Sequence, residues 1–199
     1  MSTQPVWTPA RFTGLDRPLT VAEYLEIGEV EPGYTELEEG RLLLSPSGVW
    51  RHNRAGNRLW QAFDAQLPPT VAATTDIDVD LQLAPAEAPG TVRRPDVVVV
   101  RGEAVERMDL EGGILSASDV VLAVEVVSPG SRRLDLRVKR DEYADAGIPR
   151  YWIVDLDAPV SLVACHLAGE FGYVDGGAVT GVFRTTEPFP VEVDLDALL

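Results

Sequence analysis

The sequence predicts an α/β fold organised around a mixed sheet, and three observations carry that prediction. "RPDVVVV" (94–100) and "DVVLAVEVVSP" (119–129) are near-continuous apolar runs, as expected of strands covered on both faces. The segment 134–147 reads as a helix that ends at Gly147 with Pro149 beyond it. An apolar strand, "RYWIVD" (150–155), follows at once. Strand, helix and strand in that order imply a right-handed parallel crossover.

The remaining elements follow in chain order. In "LTVAEYLEIG" (19–28), Thr20 and Glu23 have the spacing of a capping box at the start of a short helix. "YTELEEGRLLLSP" (34–46) has strand character on both sides of Glu39-Gly40, which predicts a hairpin. Trp60, Phe63 and Leu67 then recur at helical spacing before Pro68 and Pro69. Ile77, Val79, Leu81 and Leu83 alternate with polar residues, as one half-buried strand would. "RGEAVERMDLEGGILSAS" (101–118) is expected to be a loop with at most a short helix, and the tail from Ser161 reads as short strands around glycine turns. With 199 residues and no linker, repeat or low-complexity tract, one domain over 1–199 is expected.

Composition narrows the function. No apolar run has the length of a membrane span, and the N-terminus lacks the basic-then-apolar order of a signal peptide, so a soluble cytoplasmic protein is expected, with no membrane partner. Cys165 is the single cysteine; with only His52 and His166 beside it, a structural zinc site would be short of ligands. A net charge of -15 argues against indiscriminate binding to nucleic acid. The charge is uneven, however. Residues 20–40 hold seven glutamates and no base, whereas "SRRLDLRVKR" (131–140) holds five bases against one acid. Arg51, Arg54 and Arg58 lie on one face of the second helix. A polyanion would have to approach these basic faces, unless they are simply solvated.

Two acids stand inside apolar strands. Asp96 opens the run Val97–Val100, and Glu125 interrupts "VLAVEVV". A buried carboxylate is costly unless it is paired, protonated or bound to a cation. Strand alternation puts Glu125 on one face with Ala123 and Val127, and Leu122, Val124 and Val126 on the other. If the two strands are neighbours, both carboxylates reach one point, where oxygen ligands suit Mg²⁺ or Mn²⁺. The alternative is that Asp96 caps a strand end and Glu125 pairs with an arginine. Lys139 is the only lysine among 17 basic residues, which hints at a need that arginine cannot meet. Asp135 four residues earlier offers a competing explanation, a plain helix ion pair.

These residues resemble a known pattern. "PD", a gap, and then an acid in an apolar strand looks like the PD-(D/E)XK nuclease superfamily. More narrowly, "LTVAEYLEI", "YTELEEGRLLLSP", "RHN", "RRPDVVVV", "LAVEVVSPGSRRLDLRVKRDEYADAGIPRYWIVD" and "VDLDALL" resemble the Uma-two family of restriction-endonuclease-like proteins. The resemblance implies a restriction-endonuclease-like mixed central sheet flanked by helices, with Asp96 and Glu125 as metal-binding acids. The superfamily's usual lysine position, two residues after the second acid, is Val127 here. Lys139 on the following helix resembles the family's relocated lysine. Glu36 and His52 match a family glutamate and histidine, with a structural role open for each. Tyr143 fits packing or a supporting hydrogen bond better than catalysis.

The expected function is a Mg²⁺- or Mn²⁺-dependent endonuclease acting on DNA. Asp96, Glu125 and the carbonyl of Val126 would be the metal ligands, and Lys139 would orient water or neutralise charge. Arg94, Arg132, Arg133 and Arg137 are candidates for phosphate contacts, and a homodimer is plausible for cutting two strands. Two rivals stand beside this reading: an inactive module of the same fold that binds a protein or nucleic acid, and metal-free hydrolysis by paired carboxylates.

Overall fold

The computed structural model describes residues 17–28, 33–45, 49–127, 131–132 and 134–199. The expected capping box is present. Thr20 accepts from the Glu23 amide and Glu23 accepts from the Thr20 amide, which starts α1 (Val21–Ile27). The hairpin is also where its sequence placed it, with β1 (Tyr34–Glu38) and β2 (Arg41–Ser45) joined through Glu39 and Gly40, whose φ angles are +47° and +78°. Gly40 is fixed by close packing as well as by its backbone: an added Cβ would lie 2.6 Å from the Pro18 side chain and 2.7 Å from the Leu19 amide nitrogen. Gly40→Ala is therefore expected to cost about 2 kcal/mol in urea unfolding, since strain and clash act together. An unchanged midpoint would show that this corner yields freely.

α2 (Trp50–Asp64) follows the hairpin. The alternating segment beyond it does not form one strand. β3 (Val71–Thr74) and β4 (Val79–Asp80) belong to different sheets, and Asp76 and Gln82, at φ +53° and +52°, bend the chain on either side of β4. Only Val79 and Leu81 of the alternating set are buried, Leu83 is exposed, and the backbone does not stay extended. β5 (Val92–Arg93) and β6 (Val97–Arg101) come next. The expected loop is then corrected: it contains a ten-residue helix, α3 (Gly102–Glu111), whose Ala104, Val105 and Met108 turn one face to the core. The three small or flexible apolar residues make too weak a stripe to stand out in a charged segment, and tertiary packing supplies the rest.

β7 (Leu115–Ser116) and β8 (Val120–Val127) lead to a wide π turn over Leu134–Val138, which runs into α4 (Lys139–Asp145). The helix expected from residue 134 is thus regular only from Lys139. β9 (Arg150–Asp155), β10 (Ser161–Leu167), β11 (Tyr173–Thr180), β12 (Val182–Thr185) and β13 (Val191–Asp194) complete the order. The six-stranded central sheet runs β11-β10-β9-β8-β6-β3; β8 and β9 are parallel, as the crossover requires, and its other pairs are antiparallel. A second sheet runs β2-β1-β5-β4-β7, and β12 pairs with β13.

The alternation along β8 separates two cores. Leu122, Val124 and Val126 pack with Ala55, Leu59 and Phe63 of α2 and with Trp152. Ala123 and Val127 face the other way, against Tyr143 of α4, Tyr151 and Ile153. Glu125 shares this second face. The arginine row of α2 is not simply a solvated face: Arg51 donates to the Leu156 carbonyl, and Arg58 donates to those of Ala197 and, at 2.6 Å, Leu199. Those two arginines fasten α2 to other segments of the chain. Among the described residues, no helix is long and apolar enough to cross a membrane.

Candidate active site

The antiparallel ladder between β6 and β8 pairs Val97 with Val124, so Asp96 stands one step beyond it, opposite Glu125. Asp96 Oδ2 accepts a hydrogen bond of 2.7 Å from the Val126 amide. The first turn of α2 brings His52 Nε2 to 3.2 Å from the same oxygen. That hydrogen bond raises the imidazole to about 9 against the opposing effect of burial, so His52 is an imidazolium at neutral pH.

Lys139 approaches from the other side. It is the first residue of α4, directly after the π turn, and only 3% exposed. Irregular turns of this kind often aim side chains at functional sites. Its Nζ lies 2.8 Å from Glu125 Oε1 and 3.1 Å from Glu36 Oε1. Tyr143, one turn later, donates to Glu125 Oε1 at 2.8 Å, the supporting hydrogen bond its position suggested. The ion pair considered between Lys139 and Asp135 does not form; the ammonium is bonded to Glu125 and Glu36 instead. Asp135 is nevertheless buried, and its charge acts on Lys139.

Burial works against the ammonium, but Glu125, Glu36 and Asp135 outweigh it and hold Lys139 well above its ordinary range. Glu125 moves upward as well. Burial is the main cause, Lys139 opposes it, and the carboxylates of Asp96, Asp135 and Glu36 add to it. The site around Glu125 is rich in negative charge, which a proton or a cation would relieve.

Glu36 occupies the centre of a second set of contacts. Its Oε1 also accepts from the Arg94 amide at 3.0 Å, and its Oε2 accepts from Arg93 at 3.3 Å. Burial pushes Glu36 up, yet Lys139 and Arg93 hold it below the usual carboxylate range. Arg93 is completely buried, with Nε and Nη2 forked onto Glu142 of α4 at 2.7 and 2.6 Å and a further bond to Glu38 at 3.1 Å. The sequence reading passed over Arg93 and Glu142. An arginine inside "TVRRPDVVVV" was the available signal, because a guanidinium entering an apolar strand needs carboxylates around it.

The donor set fits a hard divalent cation. Asp96 Oδ1 and Glu125 Oε2 accept no hydrogen bond from the described residues, while their partner oxygens are held in place. Glu36 has both oxygens engaged, which assigns it to fixing Lys139. Among the described residues, no three His, Cys, Asp or Glu side chains form a metal cage. Two carboxylates completed by a carbonyl, water and substrate oxygens is the pattern of Mg²⁺ sites that share their ion with a phosphate. A cavity of about 330 Å³ opens beside Asp96 and His52, bordered also by Tyr34 and Arg94.

The Uma2 family, described as "Putative restriction endonuclease", matches residues 21–178. The chain belongs to the Uma2 family. Among solved structures it is similar to one described as "a putative nuclease belonging to DUF820 from Anabaena variabilis ATCC 29413", at 16% identity and a TM-score of 0.65, over 91% of this chain and 97% of that one. At that identity the likeness carries the fold alone, a mixed sheet flanked by helices. No match was found among curated proteins.

The Uma2 match spans Glu36, His52, Asp96, Glu125 and Lys139, which the structure gathers in two connected clusters. Val127 faces the same core as Glu125 and is only 4% exposed, so the ammonium reaches the acid from α4 rather than from the strand. The arginines are more dispersed. Arg94 borders the cavity, but its guanidinium bonds Asp78 at 2.7 Å and lies over the Tyr34 ring. Arg132 is paired with Asp155 and Asp157 at 2.8 and 2.7 Å. Arg137 is exposed, and Arg133 lies outside the described residues.

Proposed function

We propose that this Uma2 chain is a Mg²⁺- or Mn²⁺-dependent endonuclease that hydrolyses phosphodiester bonds of DNA. The observation that carries the reading is a pair of carboxylate oxygens, Asp96 Oδ1 and Glu125 Oε2, that accept no hydrogen bond from the described residues and stand on adjoining strands beside a buried, charged Lys139. Asp96, Glu125 and the Val126 carbonyl would hold the cation. When bound, it would supply an activated water and screening of charge on the phosphate.

The chain's own groups have distinct tasks. His52 and the Val126 amide fix one oxygen of Asp96 and leave the other directed elsewhere. Tyr143 and Lys139 do the same for Glu125. Lys139 remains protonated and offers a compact positive charge where negative charge grows on the phosphodiester. Were both strands of a duplex cut, two such centres would be needed, which a homodimer would provide.

Calorimetry with Mn²⁺ tests the centre without a choice of DNA sequence. Wild type is expected to bind one ion, and Asp96→Asn and Glu125→Gln to lose at least about tenfold in affinity each, the lower end of what losing even an outer-shell partner of a metal ligand costs. A wild type silent with Mn²⁺, both alone and with a DNA duplex, would sink the reading. That result would favour an inactive module binding a protein or nucleic acid, in which Lys139 and Tyr143 close off Glu125 and the net charge of -15 disfavours DNA.

A further inference from the structure

The cavity beside Asp96 contains a glycine with no structural reason to be one. Gly56 lies in the interior of α2, where glycine weakens a helix relative to alanine. Its φ is not positive, so the backbone does not need it. It is buried, yet an added Cβ would meet nothing within 4 Å, so no close neighbour needs it either. What glycine provides here is room in the cavity of about 330 Å³.

The lining says what the room is for. Its basic side chains already have acidic partners, Arg94 in Asp78 and His52 in Asp96, and Asp76 adds another carboxylate. A phosphate group would be poorly received. Asn53 and Asn57 flank Gly56 on the same face of α2, and Thr75 stands on the wall. Apart from a 3.4 Å contact between Asn53 Oδ1 and His52, these two amides and the Thr75 hydroxyl make no side-chain hydrogen bond with the described residues. Neutral groups that both donate and accept match the edge of a nucleobase. A chain of net charge -15 also gains little from phosphate contacts, so its affinity for a strand must come largely from bases.

We infer that this cavity receives one unpaired base of the substrate strand next to the scissile phosphodiester, with Asn53 and Asn57 reading its edge and Gly56 leaving it space. The inference rests on the nuclease reading and deepens it: the substrate is single-stranded DNA or DNA with a base out of the stack.

The test uses the full chain, a short fluorescein-labelled single-stranded oligonucleotide and its duplex in Ca²⁺, read by fluorescence anisotropy. Wild type is expected to bind the single strand more tightly than the duplex. Gly56→Leu, which fills the cavity, and Asn57→Ala, which removes an edge contact, are each expected to weaken single-strand binding about tenfold, with duplex binding and Mn²⁺ affinity unchanged. Gly56→Ala is expected to raise Tm by about 2 °C, an effect opposite to that of a glycine needed for packing. Single-strand affinity unchanged in Gly56→Leu and Asn57→Ala, a wild type that favours the duplex, or a lowered Tm in Gly56→Ala would overturn the inference. Loss of the nuclease reading would show separately, as absent Mn²⁺ binding in the wild type.

Discussion

Lys139→Arg is expected to lower DNA cleavage by about two to three orders of magnitude, the effect of removing one preorganised donor from a transition state. Charge is conserved in this exchange, so the expected loss comes from shape. The ammonium is a compact centre that bonds Glu125 at 2.8 Å and Glu36 at 3.1 Å from one nitrogen. A guanidinium spreads its donors across a plane and cannot converge them on both oxygens in a pocket where lysine is 3% exposed. Circular dichroism should remain close to wild type, which separates a lost charge at the site from a lost fold. Full cleavage by Lys139→Arg would remove Lys139 from the mechanism and leave it a structural cation.

Arg93→Met should destabilise the protein by about 3–5 kcal/mol, the usual result of taking one member from a buried ion network. The arginine is completely buried and joins three elements: β1 through Glu36 and Glu38, β5 where it stands, and α4 through the fork on Glu142. Its loss leaves the buried Glu36 and the mostly buried Glu142 without their guanidinium. Urea unfolding measures the change, and the double variant Arg93→Met/Glu142→Gln should recover part of it because one orphaned charge is gone. A loss below about 1 kcal/mol for the single variant would mean that water or protonation relieves the carboxylates easily. Because Glu36 and Glu142 set the position of Lys139 and of its helix, Arg93→Lys is expected to depress cleavage more than stability. A lysine cannot reproduce the two parallel bonds to Glu142.

Comparison of particular elements shows what could be read in advance. The capping box at Thr20, the hairpin at Glu39-Gly40 and the opposed faces of β8 were legible because each depends on residues within a few positions of one another. The parallel placement of β9 beside β8 followed from the order strand, helix, strand. α3 was underestimated, as a loop with at most a short helix, because its apolar stripe is only three residues wide, and the segment 77–83 was misread because the backbone bends there and buries only Val79 and Leu81 of the alternating set. The arginine row of α2 was read as surface, yet Arg51 and Arg58 are fastened to carbonyls more than a hundred residues away in the chain.

The site divides in the same way. Asp96 and Glu125 could be singled out because a carboxylate in an apolar strand conflicts with its surroundings, and that conflict is local. The lone lysine among 17 basic residues marked Lys139 by contrast alone. By itself, then, the sequence determined the apolar strands β6, β8 and β9, the two faces of β8, and the two acids and one lysine whose charge needed an explanation. Only the tertiary structure decided the explanation: which oxygen of each acid is held and which accepts no hydrogen bond from the described residues, that Lys139 meets Glu125 and Glu36 rather than Asp135, and that Arg93 braces Glu36 and Glu142. Those outcomes depend on distances between segments far apart in the chain. Local preference fixes the direction of a side chain within its own element, but the energy of a buried charge depends on every element packed around it.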